Sequence, residues 1–532
     1  MSNALNRKTI KTPAGGTAGI FTEILSRLAA VYVLLMAGVF PLFTTDMYYN
    51  ILQDKYYFFF YLTAATVAIA LIVLLTGILG GAFRRQKDGT SPLKELFRPT
   101  VTDLFFLAFI LAATVSTLAS EWVYEAFWGN NGRLQGLAFF LAAFLGWIIV
   151  TRFYRFRRWH LYVLLTAGLL VCLWGISDFL ALDLFGWREV IDYLVRHSFT
   201  SSIGNIDTFT AVAALYAGVF AGLALCKKTN AFFWIGFFVA VLAMITGVAD
   251  NAVLALGGLF GLLPFYVFRK RERIGKYLFL TALVCGAMAL TGFVLPVWTW
   301  TEIQSDYSYG ALLKLSAAFP RQLAAAAAVF AAAGTVLQLT AKKDTRYRAK
   351  PFVILWGVVC LLGLALLVWV FADVNTEARL PVPESLVKYF LFDEKWGSGR
   401  GYIWKKAFEL FDGFGPFRKL FGSGPETYGI LMERNYYAEM VRTKGVLFDS
   451  PHSEPLQYLF TTGILGFTAF YGTMVSGITA GVRKGGLPAA FAFGCVPFLF
   501  ASIINISAPI STPLLLLMLA LAVSVKEHEE EV

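Results

Sequence analysis

Apolar runs of about 20 residues recur along this chain from near residue 24 to near residue 525, and no other feature constrains its fold so strongly. A bilayer core takes about 20 helical residues to cross. Runs of that length lie at about 24 to 43, 57 to 80, 103 to 119, 134 to 151, 160 to 181, 206 to 226, 231 to 249 and 251 to 268. Six more lie at about 275 to 297, 321 to 340, 352 to 372, 455 to 480, 487 to 506 and 510 to 525. They predict an all-α polytopic membrane protein with about fourteen transmembrane helices. With 58% hydrophobic and 16% aromatic residues over 532 positions, an ordinary soluble enzyme is excluded.

The net charge of +11 does not point to nucleic acid, because the basic residues come in short clusters between apolar runs. Cytoplasmic loops are marked in that way. With residues 1–22 taken as a cytoplasmic tail, Arg84-Arg85, Arg152 to Arg158, Lys227-Lys228, Arg269-Lys270-Arg271, Lys342-Lys343 and Arg483-Lys484 all fall inside. One missed helix would put every later cluster on the wrong side. Both termini are therefore expected in the cytoplasm, the C-terminal one at 526–532, and the protein is expected in the cell (plasma or inner) membrane. The five cysteines sit in or at the ends of apolar runs without CxxC spacing, so they indicate neither a disulfide framework nor a zinc site.

The expected organisation is spans 1 to 11 over 23–372, an extracytoplasmic segment over 373–454, and spans 12 to 14 over 455–525. An outer connection of that length is usually functional. Within it Ile403, Trp404, Ala407, Phe408 and Phe411 recur at helical spacing opposite Lys405, Lys406, Glu409 and Asp412. This stripe predicts an amphipathic helix, either on the membrane surface as a lid or packed on the bundle.

The polar groups expected at the outer face are Arg133, Asn205, Asp207, Asp250, Arg400 and His452. Ser453 and Pro455 suit the start of a helix, which would put the imidazole at its positive end and favour a neutral base. Glycines on both sides of Arg400 let backbone N–H groups approach an anion. A histidine with guanidinium donors suits activation of a hydroxyl and binding of a diphosphate. The plainer alternatives are that His452 only caps its helix and that the arginines only reach for headgroups. No outer loop carries paired carboxylates for a divalent metal, and no cofactor motif is present; HExxH, Walker A, GxSxG and Rossmann patterns are missing.

His452-Ser453, nine residues, then Gly463-Ile464-Leu465-Gly466 resembles the H-[NSQ]-x9-G-x-x-[GTY] pattern of the O-antigen ligase family, which also holds polymerases and O-oligosaccharyltransferases. Gly399-Arg400-Gly401-Tyr402-Ile403-Trp404 and Gly422-Ser423-Gly424-Pro425-Glu426-Thr427 are similar to its G-R-x-x-[IL]-W and G-x-G-x-x-[TF] elements. Asn131 to Gly136 is similar to an R-x-x-G element. Ser202 to Asp207 is similar to the G-N-P-N element of Gram-positive-type members, with Ile206 in place of proline. Relatives commonly carry Ser-Arg where this chain has Asp250-Asn251, so Arg133 or Arg188 would supply a second phosphate contact.

The resemblance implies a GT-C-like helical fold and inverting, metal-independent transfer of a glycan from an undecaprenyl-diphosphate donor at the outer leaflet. The acceptor would be a hydroxyl on a glycan, lipid or protein. His452 and Arg400 would be catalytic, and Arg133, Asn205, Asp207, Asp250, Ser453 and Glu426 would line the donor site. A polymerase is the near alternative. A lipid-linked-glycan flippase is the alternative of another class, but it would place charges near the bilayer midplane, and these spans read as nearly free of charge.

Overall fold

In lipid an apolar segment must satisfy its own backbone, and a helix does so within one segment. The computed structural model describes residues 17–83, 92–130, 133–192, 196–226, 229–296, 310–341, 347–376, 379–506 and 508–526. Most of the N-terminal tail, the basic residues Arg84-Arg85, Lys227-Lys228 and Lys342-Lys343, and the acidic end after Lys526 lie outside the described residues.

Every apolar run of the sequence folds as a helix. Among the described residues ten helices are long and apolar enough to cross a membrane, from Gly19–Leu42 to Gly486–Ile504. The other four, Leu137–Phe153, Ala231–Thr246, Asn251–Val267 and Thr512–Ser524, are shorter apolar helices. The chain is a polytopic helical membrane protein.

The helices differ sharply in what surrounds them. Ile206–Ala224 is buried over 89% of its most apolar window, whereas Ala349–Thr376, the most apolar span, is buried over none of it. The buried helix can sit at the centre because its contact face is small: a Cβ on Gly218 would stand 2.0 Å from the Phe493 carbonyl oxygen of the Gly486–Ala501 helix. Small residues let backbones approach where lipid supplies no hydrophobic drive between helices.

Residues 379–453 carry four helices, Glu384–Phe390, Trp396–Asp412, Pro416–Phe421 and Tyr428–Thr443. They share a small core of Tyr402, Ile403, Ala407, Phe414, Tyr428, Leu431, Met432 and Met440, closed by Phe460 of the next span. The amphipathic helix therefore packs inward on its own segment, through Ile403 and Ala407. Phe408, expected on that stripe, is half exposed. Tyr402, one position outside the expected stripe, is buried in its stead because the loop core wraps that side of the helix.

Candidate active site

The helix Glu454–Lys484 is broken at Gly463, whose φ of 69° and ψ of −175° interrupt the helical backbone. A residue with a Cβ is excluded there twice over, by the left-handed φ and by the Leu420 carbonyl carbon 2.3 Å from where that Cβ would stand. The break strands carbonyls at the end of the first half-helix, and the Gly422-Ser423-Gly424 turn satisfies them. Ser423 N donates to the Phe460 carbonyl at 3.2 Å and Gly424 N to that of Thr461 at 3.0 Å, with Ser116 Oγ adding a 2.7 Å bond to Thr461. The spacing from His452 to Gly463 is thus the length of a half-helix, with the histidine before one end and the break at the other.

At the N-terminal end, Ser453 occupies the cap position and Pro455 the first turn, as expected. The Ser453 hydroxyl makes no capping bond, however, and the residue is buried. His452 itself lies at φ 48°, a conformation that costs a non-glycine residue about 1–3 kcal/mol and is held only when its surroundings dictate it. Three contacts do so. Its backbone N–H donates to Ser450 Oγ at 3.1 Å, its Nδ1 lies 3.2 Å from the Ser450 carbonyl oxygen, and Trp404 Nε1 donates to the Pro451 carbonyl at 2.9 Å. A carbonyl only accepts, so Nδ1 carries the proton and Nε2 keeps its lone pair. Burial, with the Arg133 charge next and a further contribution from Arg400, pushes the imidazole down to about 4.

Arg400 stands just past the first turn of Trp396–Asp412, in which Gly397 (φ 59°) and Gly399 (φ 95°) take backbone conformations open to glycine. Its Nη1 donates to the Gly397 carbonyl at 2.9 Å, and its Nη2 lies 3.3 Å from Asp207 Oδ2. Nε has no partner.

Arg400, His452, Asp207 and Asp250 meet at one cavity of about 420 Å³, within the range of small-ligand sites. The other expected residues stand elsewhere. Asn205 is spent on capping, its Oδ1 accepting from the Asp207 and Thr208 N–H groups at 2.9 and 3.2 Å. Arg133 is held by Asp449 through two bonds of 3.0 and 2.8 Å. Burial works to raise the Asp449 carboxyl, yet Arg133 holds it below its ordinary range. Glu426 is buried at φ 60° beside this pair, and burial pushes its carboxyl up to about 7 against the Arg133 charge. Asp250 lines the cavity and also accepts the Ala311 N–H at 2.8 Å.

The rest of the lining was less visible in the sequence. Asp178, Arg188 and Asn251 belong to it. Arg188 had been weighed as a phosphate contact. Asp178 had not been singled out, although a carboxylate inside a membrane-length run is itself a signal of function; it stands at the end of the Arg158–Phe179 helix. A second signal is visible only in three dimensions: Ser201, Val248 and His452, all at or beside the cavity, have left-handed φ of 56°, 59° and 48°. Among the described residues no three His, Cys, Asp or Glu side chains converge as a metal site.

The O-antigen ligase family model matches residues 310–471, which span both Arg400 and His452. No curated protein matches the chain.

Proposed function

We propose, from the premise that this chain belongs to the O-antigen ligase family, that it moves a glycan from an undecaprenyl-diphosphate donor to a hydroxyl acceptor at the outer leaflet, on a GT-C-like fold of fourteen spans. The observation that carries the reading is a neutral imidazole with its Nε2 lone pair and a guanidinium with a partner-free Nε at one cavity. His452 Nε2 takes the acceptor proton as the hydroxyl oxygen forms its bond to the anomeric carbon. The bond from that carbon to the diphosphate oxygen breaks on the opposite face, which inverts the centre. The electron pair leaves with the diphosphate, and Arg400 meets the developing charge.

The depressed basicity of the resting imidazole fits this order of events. Arg133 and Arg400 both work against its protonation. A bound diphosphate offsets their charge and raises the imidazole toward its ordinary value near 6.5, so the base strengthens when the donor is in place. Guanidinium groups supply the charge that a divalent metal supplies elsewhere, and the donor site extends to Asp207 and Asp250.

The test is transfer by purified protein from a lipid-diphosphate oligosaccharide to a panel of hydroxyl acceptors. His452→Ala is expected to keep its fold and donor binding while losing at least about 100-fold in turnover. Turnover near the parental rate in a folded His452→Ala protein removes the base role. Loss of activity with a chelator, restored by magnesium or manganese, removes the metal-independent step.

A further inference from the structure

Part of the cavity lining, beyond the Arg400 contact, is built unlike a phosphate site. Asp178 is 1% exposed, closes the Arg158–Phe179 helix and lines the cavity. Its Oδ2 accepts the Ser201 N–H at 2.6 Å and, more weakly, Thr200 Oγ1 at 3.4 Å. Its Oδ1 is buried and makes no well-formed hydrogen bond, and the buried Tyr48 hydroxyl beside Asp178 is unmet as well. The neighbouring cation does not neutralise Asp178 by contact: Arg188 Nη1 donates to the Asp178 backbone carbonyl, and Arg188 Nε is left without a partner. Asn251, which lines the same cavity, is fully buried, with its Nδ2 on the Asp207 carbonyl at 2.8 Å and its Oδ1 unpartnered.

Two buried acceptors and one buried donor are therefore unmet, each on a residue that lines the same cavity. Leaving such groups unmet is costly, and buried polar atoms without partners call for an explanation. The local backbone is held to this arrangement. The strands β1 (Phe199–Thr200) and β2 (Gly204–Asn205) pair antiparallel, and Ser201, in the turn between them at φ 56°, aims its N–H at Asp178. A diphosphate is repelled by a carboxylate oxygen. Hydroxyl groups are not: each donates to a carboxylate or amide oxygen and accepts from a guanidinium. The mixture of unmet acceptors and donor is matched by vicinal hydroxyls of a sugar ring, with Phe179 and Phe199 offering apolar faces in the same lining.

We infer that Asp178, Asn251 and Arg188 form a sugar-hydroxyl subsite, separate from the diphosphate contact at Arg400 and able to discriminate between glycans. The inference rests on the reading of the cavity as a glycan-transfer site. The ring belongs either to the sugar next to the donor diphosphate or to the acceptor, and the two sources are separable.

Three probes are titrated into the protein in lipid nanodiscs: undecaprenyl diphosphate, the same lipid bearing one hexose or one N-acetylhexosamine, and methyl glycosides of those sugars added after saturation with the bare lipid. One of the sugar-bearing lipids is expected to bind more tightly than the bare lipid by about tenfold to a hundredfold, the range of a hydrogen bond to a charged group. Asp178→Asn turns the free acceptor into a donor while retaining an oxygen for Ser201, and is expected to erase that difference with bare-lipid binding unchanged. Methyl glycoside binding that vanishes in Asp178→Asn assigns the subsite to the acceptor instead. Tyr48→Phe, which removes the buried phenol that stands as a hydrogen-bond neighbour of Asp178, is expected to keep the sugar preference. Loss of that preference in Tyr48→Phe as complete as in Asp178→Asn overturns the subsite, because it makes Asp178 a partner for Tyr48.

Parental protein that binds no sugar in either form better than Asp178→Asn does also overturns the subsite. Failure of the bare lipid to bind counts against the diphosphate site alone, since the glycoside titration still reports on Asp178. Where Asp178→Asn does not fold, monodeoxy glycosides on the parental protein decide. One position is expected to cost at least about tenfold, and equal binding of all analogues within about twofold overturns the proposal.

Discussion

Arg133 and Arg400 both belong to motifs at the same end of the bundle, and both pair with an aspartate, yet the two pairs are built differently. Arg133 closes a two-bond fork on Asp449 at 3.0 and 2.8 Å and stands outside the cavity lining. Arg400 lines the cavity, touches Asp207 through one nitrogen at 3.3 Å, spends another on a backbone carbonyl, and keeps its buried Nε unpartnered. A guanidinium whose fork is filled acts at a distance, through its charge. One whose fork is partly empty is available to a ligand. The first tunes His452 and fixes the turn that carries it, and the second meets the diphosphate.

The largest expected consequence is an unequal response to the same mild change. Arg400→Lys keeps the charge but loses the planar fork, and turnover is expected to fall by about 10²-fold or more, the cost of removing one preorganised donor from a developing anion. Arg133→Lys is expected to change turnover by less than about tenfold and to lower stability by about 1 kcal/mol or less, since Asp449 is 57% exposed and water screens the pair. Side-by-side rate and melting measurements check both. Equal losses of turnover would erase the distinction between a ligand contact and a charge acting from behind.

A smaller effect probes the aspartates. Asp207→Asn frees Arg400 from its competing carboxylate, and the affinity for bare undecaprenyl diphosphate is expected to rise by several-fold. Asp449→Asn is expected to leave that affinity within about twofold, because Arg133 makes no contact with the site; a coupling of this size is ordinary for partly exposed ion pairs. Tighter binding in Asp449→Asn than in Asp207→Asn would reverse the assignment of the two arginines.

Why this difference was hidden in the sequence is a matter of distance along the chain. Arg133 and Arg400 find their aspartates 316 and 193 residues away, and no local pattern records which fork closes. The helices, in contrast, were legible because lipid forces each apolar run to satisfy its own backbone. The spacing between His452 and Gly463 was also legible, but its reason was not: the carbonyls freed at the break are met by Ser423, Gly424 and Ser116, three residues from two other parts of the chain. The same holds for Asn205, whose capping role follows from the start of the Ile206–Ala224 helix, and for Ser453, whose position was foreseen but whose hydroxyl turned out not to cap. Asp178 was overlooked because an apolar average conceals one carboxylate.

The smallest effect separates the arginines by charge alone. A general base works only when deprotonated, so kcat/KM for the parental enzyme is expected to hold as pH falls through 6.5 and to drop only near the His452 value of about 4. Arg133 weighs more heavily than Arg400 in holding that value down. Arg133→Gln is therefore expected to move the acid limb upward further than Arg400→Gln does, even though Arg400→Gln costs far more in rate. Glu426 offers a competing source for a limb near 7, where burial has pushed its carboxyl, and Arg133→Gln would raise that limb too. Glu426→Gln resolves the two: a limb that persists in this variant belongs to His452, and one that vanishes belongs to the carboxyl. An acid limb near 4 that does not move in Arg133→Gln would mean that burial alone depresses the imidazole, and the role of Arg133 would shrink to holding Asp449 in place.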